Sequence, residues 1–468
     1  MPKKAVATFF LLAFLGAVLF VYFTFPRTKD QIPASNNQRP FPSFPAPPQP
    51  SPNGVPVPET VPHPNTPKVP PGPSLRVMAW ASASDARVLE AEADGFGDAT
   101  GRRVALTIDS NETTYRQDLR QALDSDSPPD VVLVSSRDFS GLDPASDLAQ
   151  AVPAPDSAPR SIAAFTVDGR IKAAPDEFSV TVLFYNPTYF DQAGIGYPGP
   201  HWTWDMFEAD ARALDSQNLK DTSGQQVYPV ELNADFDFWN ILCTEAGHPA
   251  LDLDTWHLGD TDTKESQMRG LEVIHDLFQQ LAVTAPPAKG NEAPGQFFAQ
   301  QRAALLIAPS DFAASLPSFH FAFTFLPRDL SPASSARVNG WAVTAKSTQT
   351  EAAGDLATYF AVQPVHTGWF SIQKPKDEDS SQALCYEILN RSLVPRIDPK
   401  TARMAQFLDQ QIGLLAHDSQ QTTEGLYARI QTAYQNDPSA VSHSGGFPTE
   451  SVPTPSPKVD VSGQLRGL

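Results

Sequence analysis

Short apolar runs alternate with longer amphipathic stretches from Leu75 onward. The runs LRVMAW, RVALTID and PDVVLVS have the length and composition of strands, whereas DARVLEAEADGFGDATG and TYRQDLRQALDS between them repeat apolar residues at helical spacing. This order of strands and helices predicts parallel pairing and an α/β lobe. Such sheets bind ligands beyond the carboxyl ends of their strands, which are here Trp80–Ser82, Asp109–Asn111 and Ser135–Asp138.

The same alternation continues through the middle of the chain. RIKAAPDEFSVTVLFYN predicts two extended pieces around Pro175, and NPTYFDQAG predicts a helix with an Asn cap and Pro187 at its first position. TWDMFEADARAL begins another helix with Thr203 as its cap, and TKESQMRGLEVIHDLFQQL is strongly amphipathic. RVNGWAVTA has the pattern of a strand and EAAGDLATYFAV that of a helix, so helices and strands alternate over most of the chain.

The two ends of the chain differ from this alternating middle. Residues 5–25, AVATFFLLAFLGAVLFVYFTF, carry no charge and are long enough to cross a hydrocarbon core of about 30 Å. We therefore predict a transmembrane anchor within residues 1–30, with a cleaved signal peptide as the alternative. Residues 31–73 are proline-rich, which favours a disordered, extended linker, and residues 437–468 have the composition of a disordered tail. The globular part is then expected outside the cytoplasm, on a single-pass membrane protein.

Length, charge and cysteine content narrow the possible functions. A chain of 468 residues exceeds what one hydrophobic core serves, so we expect two lobes or domains. The formal charge of −19 argues against a nucleic-acid partner, which requires a basic surface. Cys243 and Cys385 are either a disulfide or two buried thiols. Without clustered histidines they make no convincing zinc site.

The stretch GIGYPG, Gly194–Gly199, has the glycine spacing of a dinucleotide-binding loop. A phosphate-binding loop of that kind follows a strand and opens a helix. This one follows the predicted helix NPTYFDQAG, so Gly194 is suited to a left-handed C-terminal cap. Pro198 and Pro200 prevent a new helix from starting where the phosphate would need one. We therefore expect neither a nucleotide nor another cofactor.

Five stretches carry a family resemblance, in this order along the chain: LRVMAW, GFGDATGRRVALTID, YRQDLRQALDSDSPPDVVLVS, AAPDEFSVTVLFYNPTYFDQAGIGYPGPHWTWDMFEADARAL and VNGWAVTAKSTQTEAAGDLATYFAV. They resemble the extracellular solute-binding proteins of ABC transporters, in the sugar- and oligosaccharide-binding group that includes maltose-binding-like proteins. The fourth is the most specific, because Tyr-Asn, Phe-x-x-Ala-Gly and Trp-Thr-Trp-Asp-x-Phe follow one another. The predicted anchor and proline stalk depart from that family's usual lipoprotein cysteine or cleaved signal.

The resemblance implies a fold of two α/β lobes, the type II-like clamp of periplasmic binding proteins, whose hinge crossings let it close on a solute. Crossings are expected near Ala174–Phe178 and Asn339–Trp341. The implied boundaries are residues 74–176 plus about 339–370 for lobe 1, and 177–338 plus about 371–436 for lobe 2. A sugar is the implied solute and ABC permease subunits are the implied partners of a monomer. The same clamp without transport would serve a sensory or adhesive ectodomain.

Sugars present apolar C–H faces and many hydroxyl groups, which aromatic rings and fixed polar side chains bind. Tryptophans and polar residues at strand ends and in loops that face the other lobe are therefore the candidate ligand-binding residues. They are Trp80, Ser82, Ser135, Ser136, Arg137, Asp176, Asp237, Trp239, Ser310, Asn339 and Trp341. Ordinary packing between helix and sheet is the alternative for each tryptophan, a surface ion pair for the arginine, and a solvated loop for Asp176 and Glu177. Trp369 stays undecided.

An extracellular glycoside hydrolase is the rival class. The chain has neither a G-x-S-x-G nor an H-E-x-x-H sequence, and its nine histidines are scattered. A glycosidase needs only two suitably separated carboxylates, for which Asp235 and Asp237 are the local candidates, although paired acids are common by chance. We expect a binding protein without catalytic residues or a metal.

Overall fold

The computed structural model describes residues 73–253, 255–258, 261–286, 295–363, 365–378, 380–397 and 402–436. Within these ranges, no helix is both long and apolar enough to span a bilayer. The predicted anchor, the tail and all of the predicted linker except Pro73 lie outside the described residues.

The strands of the described residues are β1 (Leu75–Trp80), β2 (Val104–Asp109), β3 (Val131–Ser135), β4 (Thr166–Val167), β5 (Arg170–Ile171), β6 (Ala174–Tyr185), β7 (Tyr228–Glu231), β8 (Leu251–Asp252), β9 (Thr255–Trp256), β10 (Ala303–Pro309), β11 (Ala322–Thr324), β12 (Ser334–Val343), β13 (Phe370–Ser371) and β14 (Ser392–Leu393).

The α-helices are α1 (Ala83–Thr100), α2 (Glu112–Asp124), α3 (Pro144–Asp147), α4 (Pro159–Ala164), α5 (Pro187–Ala193), α6 (Trp204–Ser216), α7 (Phe236–Glu245), α8 (Lys264–His275), α9 (Gln296–Ala299), α10 (Thr350–Phe360), α11 (Ser381–Leu389), α12 (Ala402–His417) and α13 (Thr423–Asn436). Short 3₁₀ turns follow β3 and β10, and a π-helical turn, Asp276–Gln280, continues α8.

The first lobe is built on the predicted strand–helix–strand–helix–strand segment. β1 pairs in parallel with both β2 and β3, which confirms the predicted α/β lobe. Gly101 ends α1 in the left-handed conformation at φ 69°, and Asn111 caps α2 through its side chain. Gly194 likewise caps α5 at φ 67°, as expected of a helix end rather than a phosphate loop.

Two long strands, β6 and β12, join the lobes. The first half of β6 pairs with β12, and the second half, from Thr181, pairs with β10 and β11. β12 also pairs with β3, so the strand order is β2-β1-β3-β12-β6-β10-β7. β6 is therefore a strand of both lobes, and the expected first crossing lies in its first half.

Pro175 lies inside β6 instead of separating two extended pieces. The register between β6 and β12 shifts at this point: Asn339 faces Glu177, whereas Gly340 faces Pro175, which leaves Asp176 as an extra residue. A bulge accommodates a proline because it interrupts the ladder where the proline has no N–H to donate. A Cβ at Gly340 would lie 2.8 Å from the carbonyl oxygen of Ala174, so glycine permits this close crossing.

Buried side chains form two core clusters. One surrounds β1–β3 and continues through Phe184 and Phe298 along one face of the β6–β10 pair. The other, which defines the second lobe, packs α6, α7, α8, α12 and α13 on the opposite face. The buried Cys385 of α11 belongs to the first cluster, although the predicted boundaries assign this segment to lobe 2. Cys385 and Cys243 are both buried free thiols.

Candidate ligand-binding cleft

A cavity of about 300 Å³, which we call the cleft, lies where the two lobes and the two crossing strands meet. Its walls carry three guanidinium groups, one carboxylate and several hydroxyl groups. The lining residues are Arg116, Arg137, Ser179, Thr181, Asp237, Pro309, Ser335, Ala336 and Arg337. None of these nine is aromatic, and two of them, Arg137 and Asp237, are among the residues that the sequence predicts.

Arg137 and Asp237 connect the lobes across the cleft. Arg137 follows β3 in the first lobe, and its Nη1 donates to Oδ2 of Asp237, in the first turn of α7, at 2.5 Å. The exposed fractions of the two side chains are 36% and 32%, so the pair is partly hydrated. Burial alone would lower the pKa of Arg137, but the charge and hydrogen bond of Asp237 outweigh it and the pKa is raised.

Two further carboxylates lie behind Asp237 at the start of α7. Asp235 caps the helix and Asp409 comes from α12, and they accept hydrogen bonds from backbone N–H groups at 2.9 and 2.8 Å. Burial, and then the charge of Asp237, raises the pKa of Asp235 to about 7. Burial also raises the pKa of Asp409. Within the described ranges, however, no group of three or more His, Cys, Asp or Glu side chains is arranged to hold a metal ion.

The crossing strands supply the wall between these charged groups. Ser179 and Thr181 of β6, and Ser335 and Arg337 of β12, each lie two residues apart. Residues two apart in a strand point to the same face, so polar side chains repeat on the face toward the cleft.

Arg337 is held by a carboxylate on one side and faces an aromatic ring on another. Its Nη2 lies 3.0 Å from Oδ2 of Asp311, and its guanidinium lies 5.1 Å from the ring centre of Trp369. Asp311 also accepts a hydrogen bond from Ser179 at 2.5 Å. The predicted Ser310 is fully buried, where its Oγ accepts the backbone N–H of Val180 at 3.2 Å. It therefore orders the end of β10 rather than lining the cleft.

A smaller recess of about 40 Å³ adjoins the cleft in the first lobe and shares Arg116 with it. Trp80 and Ser135, both predicted, line this recess at the carboxyl ends of β1 and β3. Asp138 lines it as well, with Oδ2 only 2.7 Å from Nε of Arg116. A recess therefore lies at the carboxyl ends of β1 and β3, and it carries an ion pair that the sequence does not predict.

Trp80 is held from behind by His366. The two ring centres are 4.0 Å apart, and His366 Nε2 donates to the Trp80 carbonyl oxygen at 3.0 Å. Its Nδ1 contacts the buried carboxylate of Glu177, which also accepts the backbone N–H groups of Val365 and His366 at 3.1 and 3.0 Å. Burial would lower the pKa of His366, but Glu177 outweighs it and raises the pKa. The carboxylate of a crossing strand is therefore connected, through His366, to the tryptophan that lines the recess.

Trp239 and Trp341 are both fully buried in this structure. Trp239 donates from Nε1 to the carbonyl oxygen of Gln267 at 3.1 Å, and a Cβ at Gly270 would lie 3.0 Å from its ring. Trp341 packs on Phe360 with ring centres 4.7 Å apart. Packing therefore accounts for both rings, which offer no open face for stacking.

The remaining predicted residues are not among those that line the cleft, and they make hydrogen bonds within the protein. Ser82 caps α1 by accepting from the backbone N–H of Asp85. Ser136 is buried and accepts the backbone N–H of Val338 at 3.0 Å, which ties β3 to β12.

Asp176 and Asn339 are buried where the strands cross. Asp176 accepts a hydrogen bond from Trp341 Nε1, and Asn339 donates to Glu177, both at 3.0 Å. Burial, and then the charge of Glu177, raises the pKa of Asp176 well above its usual value. These acidic residues therefore lie in the core of the crossing, not in a solvated loop.

Sequence reasoning missed Arg116, Arg337 and the polar residues of β6. The alternation of Ser179 and Thr181 within an otherwise apolar strand is a signal that could have identified these two residues of β6. Arg337 immediately precedes the VNGW stretch, so its place on the return strand was also accessible from the pattern. Arg116 follows only from the tertiary structure, because nothing in the helix pattern indicates which face meets the other lobe.

Comparisons with solved structures place this fold among two-lobed substrate-binding proteins. One is an ABC substrate-binding protein of Listeria monocytogenes in complex with cycloalternan, with 16% sequence identity and a TM-score of 0.62. The match covers 78% of this chain and 98% of that protein. The GacH receptor of Streptomyces glaucescens, described unliganded and with acarbose, matches at 16% identity and a TM-score of 0.61. The match covers 80% of this chain and 100% of the receptor. UgpB of Mycobacterium tuberculosis in complex with glycerophosphocholine matches at 16% identity and a TM-score of 0.60. The match covers 78% of this chain and 98% of UgpB.

A comparison with curated protein sequences gave no match. The model of the bacterial extracellular solute-binding protein family, by contrast, matches residues 80–363, which is more than half of the chain. Those residues include both crossing strands and all nine residues that line the cleft. The chain therefore belongs to the bacterial extracellular solute-binding protein family.

Proposed function

We propose that the protein captures a sugar or oligosaccharide in the cleft. The observation that carries this proposal is a cavity lined from both lobes by guanidinium, carboxylate and hydroxyl groups. Sugar hydroxyls donate and accept hydrogen bonds, so they match walls that offer both kinds of partner. Support also comes from proteins of similar fold that are described in complex with cycloalternan, acarbose and maltotetraose.

In this proposal Arg137, Asp237 and Ser135 bind hydroxyl groups, and Trp80 supplies an apolar face. Trp369, whose role the sequence left undecided, is a second partly exposed ring, and the guanidinium of Arg337 lies over it. Such rings stack on C–H faces at low cost in conformational entropy. The buried predicted residues keep these groups in position.

The proposed cellular role is to deliver the solute to an ABC importer from outside the cytoplasm, without chemical turnover. Residues 5–25 would anchor a monomeric chain in the membrane, and residues 31–73 would hold the lobes away from it. Family membership supports an extracytoplasmic lobe pair, and the permease subunits follow from the proposed transport role.

A ligand panel tests the proposal. Thermal-shift and tryptophan-fluorescence titrations would be run with maltose, maltotriose, a cyclic maltodextrin and polyols, and the recovered solute would be analysed for cleavage. We expect at least one sugar to raise the melting temperature and to be recovered intact. Silence across the sugars, or release of cleaved product, would refute the proposal.

A glycerophosphodiester is the second candidate solute, because three guanidinium groups line the cleft and arginine binds phosphate well. UgpB, of similar fold, is described with glycerophosphocholine. Including glycerophosphocholine and glycerol 3-phosphate in the panel distinguishes the two candidates. A response to these phosphates with none to sugars would select the phosphodiester.

A further inference from the structure

The Arg137–Asp237 ion pair spans the cleft from one lobe to the other. Arg137 is fixed at its backbone, where its carbonyl oxygen accepts the N–H of Ile397 at 2.7 Å. Asp237 is fixed by its place in the first turn of α7, where the helix dipole favours a carboxylate. Arg137 follows a strand of the first lobe and Asp237 begins a helix of the second, so the contact between their side chains depends on how closely the lobes approach. Ile397 packs against the second core cluster, so its bond to the Arg137 backbone is a further contact between the lobes at this point.

The carboxylate of Asp237 is only half satisfied by this contact. Its Oδ2 accepts from Arg137, whereas its buried Oδ1 has no hydrogen-bond donor among the described residues. Asp235 and Asp409 stand behind it and add negative charge. A solute hydroxyl could donate to Oδ1 once the contact opens, and a hydroxyl oxygen could accept from the guanidinium, more weakly than the carboxylate does because it carries no charge.

Both members of the pair line the cavity, so while they bind each other their paired atoms are not available to a solute. We propose that the Arg137–Asp237 pair is a latch that holds the lobes together, and that a solute is admitted when this contact opens. The latch itself rests on the two-lobed structure, while the exchange of its contact for solute hydroxyls rests on the proposed function.

Distance measurements between the lobes test the latch without any solute. Cys243 and Cys385 are buried, so cysteines introduced at the exposed Gln121 of α2 and Glu265 of α8 can be spin-labelled selectively. Pulsed electron paramagnetic resonance would then compare the labelled parent with Asp237→Asn, Arg137→Gln and the double variant. We expect each single change to shift the distribution to longer distances.

The double variant should match the single variants, because either change alone already removes the same attraction between opposite charges. Raising the salt concentration to about 1 M should move the parent toward the variants and leave the variants unchanged, since salt screens exposed ion pairs. Asp329→Asn is the matched control, because Asp329 pairs with Arg269 at 3.2 Å outside the cleft. It should leave the distribution unchanged.

Unchanged distances in a folded Asp237→Asn or Arg137→Gln protein would overturn the latch, as would additive shifts in the double variant. The two substitutions lie in different lobes, so a folding defect in one leaves the other as the test. Stopped-flow binding of maltotriose adds a second measurement, in which the latch predicts an association rate at least threefold faster for Asp237→Asn. An unchanged rate would contradict the admission step, whereas failure of every sugar to bind would refute the proposed function and leave the distance result standing.

Discussion

His366 lies against Trp80 with ring centres 4.0 Å apart, and its Nε2 donates to the Trp80 carbonyl oxygen. Its other nitrogen meets the carboxylate of Glu177 in the crossing strand β6. One imidazole therefore packs against the ring that lines the recess and also binds a buried carboxylate of the crossing strand.

This contact predicts a pH-dependent effect of His366→Gln. The pKa of His366 is raised in the folded protein, so its charged form is stabilising below about pH 6.5, and that stabilisation is lost as the pH rises through the folded pKa. At pH 5.5 we expect the substitution to lower the free energy of unfolding by roughly 1.5–3 kcal/mol, because a charge-assisted hydrogen bond is lost. At pH 9 the imidazole is neutral in the parent as well, so the loss should be clearly smaller. Urea unfolding at both pH values measures this. An equal cost at both would contradict a charged imidazole.

Asp235→Asn should stabilise the protein at alkaline pH. The pKa of Asp235 is raised to about 7, so ionisation destabilises the folded state progressively between about pH 4 and 7. Asparagine keeps the cap of α7 and removes the charge. We expect a gain of about 1–2 kcal/mol at pH 8 and almost none at pH 4.5. Asp221→Asn, in an exposed turn of the second lobe, is the control, and a destabilised Asp235→Asn at pH 8 would refute the argument.

Trp80→Ala and Trp239→Phe should separate binding from packing. Trp80 lines the recess, so its loss should weaken binding of the solute found in the panel by more than about 1 kcal/mol. Trp239 is fully buried, so the smaller phenylalanine should lower the free energy of unfolding by about 1–3 kcal/mol and leave affinity unchanged. Calorimetric titration and urea unfolding give the two quantities. Weaker binding by a folded Trp239→Phe protein would return that ring to the site.

Gly340→Ala should disturb the crossing itself. The new Cβ would lie 2.8 Å from the carbonyl oxygen of Ala174 and also from the ring of Phe165, so β6 and β12 would have to separate. We expect a loss of about 1–3 kcal/mol. Gly354→Ala is the matched control, because a Cβ there meets nothing within 4 Å and alanine favours the helix α10 by roughly 0.5–1 kcal/mol. Thermal unfolding of both variants checks the opposite signs.

The local patterns of the sequence predicted the elements well because each pattern has a local cause. Asn186 and Gly194 bound α5, and Thr203 caps α6, as side-chain capping and left-handed glycine require. The amphipathic stretch TKESQMRGLEVIHDLFQQL departs from this at its end, where α8 becomes a π-helical turn while Leu277 remains buried. Tertiary packing therefore decides the last turn.

The site was harder to predict than the fold because burial is a property of the whole structure. Trp239 and Trp80 both stand near polar residues in the sequence, yet one is enclosed by α8 and the other lines the recess. The partnership of Arg137 with Asp237 joins residues 100 positions apart and depends on the approach of two lobes. Periodicity identifies the face of a helix or strand that is buried, but not the element that it meets.

The sharing of β6 between the two lobes has a thermodynamic consequence. Unfolding of the second lobe would remove β10 and β11, the partners of the second half of β6. Unfolding of the first lobe would remove β12, the partner of the first half of β6. In either case backbone N–H and C=O groups of the same strand, β6, would lose their hydrogen-bond partners. The two lobes are thus expected to melt as one cooperative unit, even though each has its own core.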